Sequence, residues 1–199
     1  MKRSLALLLL VLSAGCTTLV QPSGPPNRVA WRIHLARLEK LQNWRLEGRI
    51  GVVAPSRGGA ANVNWRQQGA RWSLIFAGPF GLGAVRLWGD SSVLHIRDSR
   101  GREWLTEHPE AALERSLGWP VPVSSLRYWI IGRPAPGGAR EIQLGARGLL
   151  RWIEQGGWTV RYGGYGRVRG VFLPDSITAT RAGVRIKLIV SRWRLESGA

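Results

Sequence analysis

Residues 44–52 read Trp44-Arg45-Leu46-Glu47-Gly48-Arg49-Ile50-Gly51-Val52, with an apolar or small residue at every second position. Successive side chains of a β-strand point to opposite faces of its sheet, so this period of two predicts a strand with one buried and one solvated face. A half-buried strand needs neighbouring strands to pair with. The segment therefore favours a β-rich domain.

Ten further segments show strand patterns, and most of them are separated by turns rich in Gly, Asp or Ser. They are residues 62–67, 72–76, 84–88, 93–97, 103–106, 141–144, 149–155, 158–162, 171–179 and 184–193. Residues 68–70 and 89–91 are short enough to connect hairpins. Because no strand–helix–strand rhythm occurs, we expect about eleven strands paired antiparallel in one sheet.

Three short helices are predicted beside the strands. Apolar residues recur at spacings of four and three between residues 29 and 41, which indicates an amphipathic helix. A second helix begins at Pro109 and would end before Gly118, and Ser124 or Ser125 is expected to cap a third. Since an antiparallel sheet of this size twists and curls, such helices are suited to cover its open side.

The first fifteen residues have the composition of a secretory signal peptide. Lys2 and Arg3 precede the apolar residues 5–12, and Ser13-Ala14-Gly15 leads to Cys16, the only cysteine. The apolar run is shorter than the roughly 20 residues that span a bilayer. The ending resembles a bacterial lipobox, although Ser13 stands where that pattern favours Leu. We expect cleavage before Cys16 and a lipid anchor there, and the alternative is an ordinary signal peptide with an incidental cysteine.

The expected lipid on Cys16 is a diacylglycerol together with an N-acyl chain, and no other cofactor is predicted. Thr17 follows the cysteine in place of the Asp that resembles an inner-membrane retention signal, which favours the outer membrane. Residues 16–27 contain three prolines and a glycine and no apolar period, so they are expected to form a flexible linker. Residues 28–199 would then form a single domain, expected to be a monomer.

The formal net charge of +17 is the strongest bias in the composition. Cleavage before Cys16 would remove Lys2 and Arg3 and leave about +15. The arginines are spread singly along the chain, whereas nucleic-acid binders more often concentrate them on one helix or arm. No nucleic-acid partner is predicted. Two interpretations stay open, a solvated Arg-rich surface and binding to an anionic membrane surface.

No pattern in the sequence indicates catalysis. His34, His95 and His108 lie in separate predicted elements, without further His or Cys at metal-ligand spacing. The sequence contains no Gly-x-Ser-x-Gly motif, and the glycine-rich residues 78–83 lack the Gly-Lys-Ser/Thr ending of a phosphate-binding loop. We therefore expect neither a metal site nor an enzyme, and a binding or transfer role is what remains.

Several short segments in a characteristic order run through most of the expected domain. They are residues 44–49, 65–68, 78–81, 118–122, 126–132, 157–160 and 162–165, then Leu173-Pro174 and residues 184–193. Behind a lipobox, their order and spacing resemble the LolB family of outer-membrane lipoproteins. Members of that family receive other lipoproteins from the periplasmic carrier LolA.

The resemblance implies a mostly β, α+β fold, namely an unclosed antiparallel β-barrel of about eleven strands with short helices over its open side. It also implies an apolar cavity for the acyl chains of cargo lipoproteins, in a lipid-anchored outer-membrane protein that faces the periplasm. The inward positions of the alternating strands are the candidate cavity residues. They are Leu46, Ile50, Val52, Trp72, Leu74, Phe76, Ile186 and Leu188.

The resemblance further implies an apolar residue at the tip of a protruding turn that places cargo into the membrane. That position falls on Phe80, within the turn Pro79-Phe80-Gly81-Leu82. Turns normally carry polar residues, so Phe80 and Leu82 are unusual there. The alternative is that Phe80 folds back onto the core.

A second function stays open at this point, in a different class. A structural envelope lipoprotein would hold a protein partner by surface contacts, and its own side chains would fill the interior. Lipid found in the purified domain would distinguish the two functions. An enzyme acting on envelope glycan is disfavoured, because no converging pair of carboxylates is evident.

Overall fold

The computed structural model describes residues 25–55, 58–78, 83–90, 92–117 and 121–196. No helix within these ranges is both long and apolar enough to cross a membrane. In chain order the elements are α1 (Arg28–Glu39), β1 (Asn43–Val53), β2 (Gly58–Gln68), β3 (Arg71–Ala77), β4 (Val85–Gly89), β5 (Leu94–Arg97), β6 (Glu103–Thr106), α2 (Pro109–Leu117), α3 (Val123–Trp129), β7 (Glu141–Leu144), β8 (Leu150–Gln155), β9 (Trp158–Val168), β10 (Val171–Arg181) and β11 (Val184–Leu195).

All eleven strands belong to one antiparallel sheet, in the order β6-β5-β4-β3-β2-β1-β11-β10-β9-β8-β7. The first and last strands are therefore neighbours at the centre of the sheet. β6 and β7 form its two edges and do not pair with each other, so the sheet is not closed. The prediction of an unclosed antiparallel barrel with three short helices is confirmed.

Two strands extend well beyond the segments that alternation predicts. β2 begins at Gly58, and its first residues pair with the end of β1, Gly58 opposite Val53 and Ala61 opposite Ile50. β9 continues past residue 162 and stays paired with β10 across two shifts of register. Both extensions are rich in Gly or Ala, which carry little or no side chain and so show no apolar–polar period.

The core occupies one face of the sheet, here called the inner face. Its most heavily filled part is a group of tryptophans near the start of β1. Trp44 lies 5.6 Å from Trp65 and 5.4 Å from Trp193, measured between ring centroids, and Trp65 lies 6.1 Å from Trp72. The tilted and edge-on orientations are those that aromatic pairs prefer. This end of the inner face is therefore packed by the protein's own side chains.

Helix α1 packs against the turn between β7 and β8. The side chain of Asn27 caps the helix by accepting a hydrogen bond from the Ala30 amide at 2.9 Å, and His34 and Leu38 are buried. Gly148 in the turn has no room for a side chain, because a Cβ there would lie 2.7 Å from the Ala30 Cβ. The helix predicted over residues 29–41 is confirmed, with its end at Glu39.

Helices α2 and α3 are joined by a capping interaction that the sequence analysis misses. The third helix begins at Val123 with Pro122 as its N-cap, so neither Ser124 nor Ser125 caps it and that prediction is wrong. The reason is that Glu110 of α2 supplies the acceptor. Its Oε1 receives a hydrogen bond from the Ser124 amide at 3.1 Å, one of the free donors in the first turn.

Candidate functional site

The eight candidate cavity residues all lie on the inner face of the sheet, on the three strands β1, β3 and β11. Across β1 and β11, Ile50 is opposite Leu188 and Val52 is opposite Ile186. The other four lie on β1 and β3, and Leu46 and Leu74 are both opposite Trp65 of the intervening strand β2. Trp72 and Phe76 lie two residues before and after Leu74 in β3, so their side chains are on the same face of the sheet. The structure therefore brings together the residues that the sequence selected by alternation.

These eight residues differ in how completely the protein covers them. Five are buried in the core, namely Leu46, Trp72, Leu74, Ile186 and Leu188. Ile50, Val52 and Phe76 are only partly buried and pack against the edge of that core. A side chain needs free surface to contact a ligand, so these three are the candidates for direct contact, and the other five form the wall behind them.

The register explains why Ile50 and Val52 keep free surface. Their partners on β2 are Ala61 and Gly59, which have almost no side chain to cover them. At the opposite end of β1, the partners of Trp44 and Leu46 are the large residues Gln67 and Trp65. The inner face is thus filled at its tryptophan end and sparsely filled at its glycine end. The signal for this in the sequence is the run of small residues at 58–61.

A pocket of about 300 Å³ with mixed polar and apolar walls lies at the tryptophan end, beside Trp44. The guanidinium groups of Arg127 and Arg133 lie 4.7 and 5.1 Å from the ring centroid of Tyr128. Gln67 is buried, and its Nε2 donates to the Gly69 carbonyl at 2.8 Å. Charged and amide groups thus share this pocket with apolar ones, which makes it less suited to an acyl chain than the surface around Ile50 and Val52.

Helix α3 and the segment after it are held to the sheet by a buried network around Gln155. The Oε1 atom of Gln155 accepts hydrogen bonds from Trp129 Nε1 at 2.8 Å and from the Ala135 amide at 2.9 Å. Its Nε2 donates to the carbonyls of Ala135 and Gly138, both at 2.8 Å. Four bonds thus satisfy the side-chain amide completely. Gln155 is not among the predicted site residues. Its only indication in the sequence is that a polar residue occupies an inward strand position.

Two tyrosines of β9, one buried and one partly buried, hold α3 and β8 in place. The hydroxyl of Tyr162 donates to the Trp129 carbonyl at 3.1 Å, and that of Tyr165 donates to the Leu150 carbonyl at 2.9 Å. Burial raises the pKa of both phenols far above the ordinary value, so both stay protonated and act as donors. Both are structural groups, since Tyr162 joins β9 to α3 and Tyr165 joins β9 to β8.

Other predicted site residues lie outside the described residues. They are Cys16, with the linker residues up to 24, and the insertion turn Pro79, Phe80, Gly81 and Leu82. The strands that border that turn in the chain, β3 ending at Ala77 and β4 beginning at Val85, are described. Among the described residues, no group of three His, Cys, Asp or Glu side chains is arranged to hold a metal ion.

The fold and its apolar inner face define a class of protein, an unclosed half-barrel with helices packed beside the sheet. A solved structure of the same fold is a domain from Vibrio parahaemolyticus described as an outer membrane lipoprotein-sorting protein. It matches with a TM-score of 0.57 and 11% sequence identity, over 86% of this chain and 92% of that chain. At that identity the likeness shows the fold alone.

The sequence comparison identifies the family. The model of the outer membrane lipoprotein LolB family matches residues 42–193, and the chain belongs to that family. The outer-membrane lipoprotein LolB of Chromohalobacter salexigens is 32% identical over 194 residues, covering 97% of this chain and 90% of the relative. That of Stutzerimonas stutzeri is 33% identical over 197 residues, covering 98% and 96%. The resemblance inferred from the short segments is confirmed.

Proposed function

We propose that this protein is an acceptor, lipid-anchored in the outer membrane and facing the periplasm, that takes lipoproteins from the carrier LolA and inserts them into the membrane. Membership of the LolB family supports this role. The structural observation that carries it is the sparsely filled end of the inner face. There Ile50, Val52 and Phe76 keep free apolar surface beside Ala61 and Gly59.

Acyl chains of the cargo would lie along this surface. Each methylene group removed from water contributes about 0.8 kcal/mol, so even partial burial of an acyl chain on this surface would favour binding strongly. The sequence contains no nucleotide-binding motif, and the transfer is therefore downhill. Cargo passes from the carrier to this protein, and then to the bilayer, which covers the chains completely.

The same proposal assigns no chemical reaction to the protein. Its only cofactor is the covalent lipid on Cys16, and several chains on one residue hold a protein stably to a membrane. The turn with Phe80 at its tip enters the membrane interface during delivery. Phe76, one of the residues with free apolar surface, precedes Phe80 by only four residues in the chain, so cargo would leave the cleft close to the bilayer.

The test is the handover from carrier to acceptor in the absence of membranes. The full chain is incubated with lipoprotein-loaded LolA, re-isolated, and examined by native mass spectrometry for bound cargo. Val52→Asn places an amide on the free apolar surface, and we expect it to reduce cargo transfer about tenfold or more, since burying an unpaired amide costs about 1–3 kcal/mol.

The matched control is Val53→Asn, one residue further along β1. Val53 is 65% exposed on the other face of the sheet, so its substitution is expected to leave transfer unchanged. Both variants are checked for an unaltered melting temperature. Equal transfer by both variants, or no cargo on the unmodified protein, would contradict the proposal.

A further inference from the structure

The face of the sheet opposite the core carries a groove of about 480 Å³, here called the outer groove. Four arginines line it together with three apolar and two neutral polar residues, and no Asp or Glu contributes to its walls. The arginines are Arg66, Arg71, Arg86 and Arg97, the apolar residues are Trp72, Ile75 and Trp88, and the neutral polar residues are Gln68 and Ser73. This is a concentrated cationic surface with an apolar floor.

Only two of the four arginines have a carboxylate partner among the described residues. Arg66 pairs with Glu196 at 3.3 Å, and Arg97 pairs with Glu103. Arg71 and Arg86 are exposed and make no ion pair with any described carboxylate. Arg86 lies directly opposite Arg97 across β4 and β5, an arrangement that is unfavourable for like charges unless an anion lies between them.

The apolar residues of the outer groove lie between the arginines. Ile75 is directly opposite Arg86 on β3 and β4, and Trp88 is opposite Ser73. The guanidinium of Arg97 lies 5.9 Å from the Trp88 ring centroid. Amphipathic rings such as indole favour the boundary between water and lipid, whereas a site that binds a free anion in water does not require such rings.

We propose that the outer groove binds the phosphate groups of anionic phospholipids at the membrane surface. Guanidinium groups match phosphate oxygens in charge and in bidentate geometry. Trp88 and Ile75 would contact the upper part of the acyl region beside those headgroups. The site adds a lipid-recognition surface to the hairpin that, in the proposed function, carries the insertion turn.

The position of the groove supports this occupant. Arg86 follows Phe80 by six residues, so the chain allows at most about 20 Å between their Cα atoms. The polar headgroup layer on each side of a bilayer is about 5–8 Å thick and borders the hydrocarbon core directly. A hairpin whose tip enters the interface would therefore keep Arg86 within about 20 Å of this layer.

The experiment measures binding to vesicles when the protein's own lipid is absent. Full-length Cys16→Ser protein is mixed with vesicles of phosphatidylcholine, either pure or with 30 mol% phosphatidylglycerol, and the bound fraction is obtained by sedimentation at about 0.1 M salt. We expect binding to the anionic vesicles only. Arg71→Gln/Arg86→Gln should lower the association constant about 30-fold, since each arginine near an anionic surface contributes roughly fivefold.

The control is Arg32→Gln/Arg147→Gln, which removes the same charge from two exposed arginines away from the groove. It is expected to change binding at most about twofold. Equal losses in the two double variants would show that net charge alone attracts the protein, and unchanged binding in both would show that the groove is unused. Either result would overturn the proposal.

Two further readouts distinguish this inference from its alternatives. If the groove variant binds vesicles normally but binds LolA more weakly, the groove is a protein-docking surface and the lipid proposal is wrong. Handover from carrier to acceptor without vesicles tests the proposed function by itself. Loss of handover with intact vesicle binding would refute that function and leave the lipid site standing.

Discussion

His34 is the buried ionisable side chain whose protonation we expect to affect stability most. It lies on the inward side of α1, where burial, and secondarily the charge of Arg37, lowers its pKa from 6.5 to about 4. The unfolded chain therefore binds the proton more readily between those values. The free energy of unfolding should be fully retained above about pH 6.5 and should decrease by roughly 2–3 kcal/mol as the pH falls to 4.

Urea unfolding at a series of pH values between 4 and 7.5 measures this effect. The variant His34→Gln cannot titrate in this range, so its unfolding free energy should vary less with pH than that of the parent. Asp175, whose pKa is raised by burial, contributes to both proteins equally. Parallel pH profiles for the two proteins would show that His34 is not the responsible group.

Gln155 offers a second test at the level of one side chain. Its four hydrogen bonds join Trp129, Ala135 and Gly138 to β8. The substitution Gln155→Leu keeps most of the volume but leaves buried donors and acceptors without partners. We expect the free energy of unfolding to fall by about 3–4 kcal/mol. Gln68→Leu, at an exposed position, should change it by less than about 0.5 kcal/mol.

The position of α1 depends on how closely the helix approaches Gly148, in the turn between β7 and β8. Gly148 has a positive φ of 67°, and a Cβ there would clash with the backbone of α1. Gly156 in the next turn has a similar φ of 60° but nothing within 4 Å. Gly156→Ala should therefore cost only the backbone strain, about 1 kcal/mol, whereas Gly148→Ala should cost about 3 kcal/mol.

Thermal or urea unfolding compares these two variants directly. Hydrogen exchange adds a local readout, because displacement of α1 should increase exchange of its amides in Gly148→Ala and leave them protected in Gly156→Ala. Equal stability losses in the two variants would mean that α1 does not pack on the turn as described.

The elements differ in how far the sequence alone predicts them. Alternation identifies β1 and β11 because one face is buried and the other solvated, and the same parity correctly places the eight inner-face residues. It fails for the extensions of β2 and β9, where glycine and alanine have no side chain to alternate. It also fails at α3, because the acceptor that caps the helix comes from Glu110, fourteen residues before Ser124.

The candidate site is likewise only partly predictable. The inner-face residues follow from periodicity, but which of them keep free surface depends on the pairing of Ile50 with Ala61, a contact between two strands. The Gln155 network and the outer groove also arise from residues that are distant in sequence. The four arginines of the groove lie one on each of β2, β3, β4 and β5, and only the register brings them together.

For the whole molecule, the proposed function separates into two steps on one scaffold. In that proposal, the inner face would take acyl chains from the carrier, and the turn with Phe80 would deliver them to the bilayer. Phe80 would add apolar area worth about 1–2 kcal/mol at about 25 cal/mol per Å², which is small beside the proposed lipid anchor. Its replacement by a charge should therefore leave the protein folded and membrane-bound.

A two-step transfer assay on Phe80→Glu tests this account most directly. Cargo is followed from loaded LolA to the purified protein and then from the protein to liposomes, with Phe80→Leu as the matched apolar control and circular dichroism to confirm folding. We predict normal uptake by both variants, normal delivery by Phe80→Leu, and failed delivery by Phe80→Glu, because a carboxylate opposes insertion into lipid. Normal delivery by Phe80→Glu, or a Phe80→Glu protein that does not fold, would contradict the account.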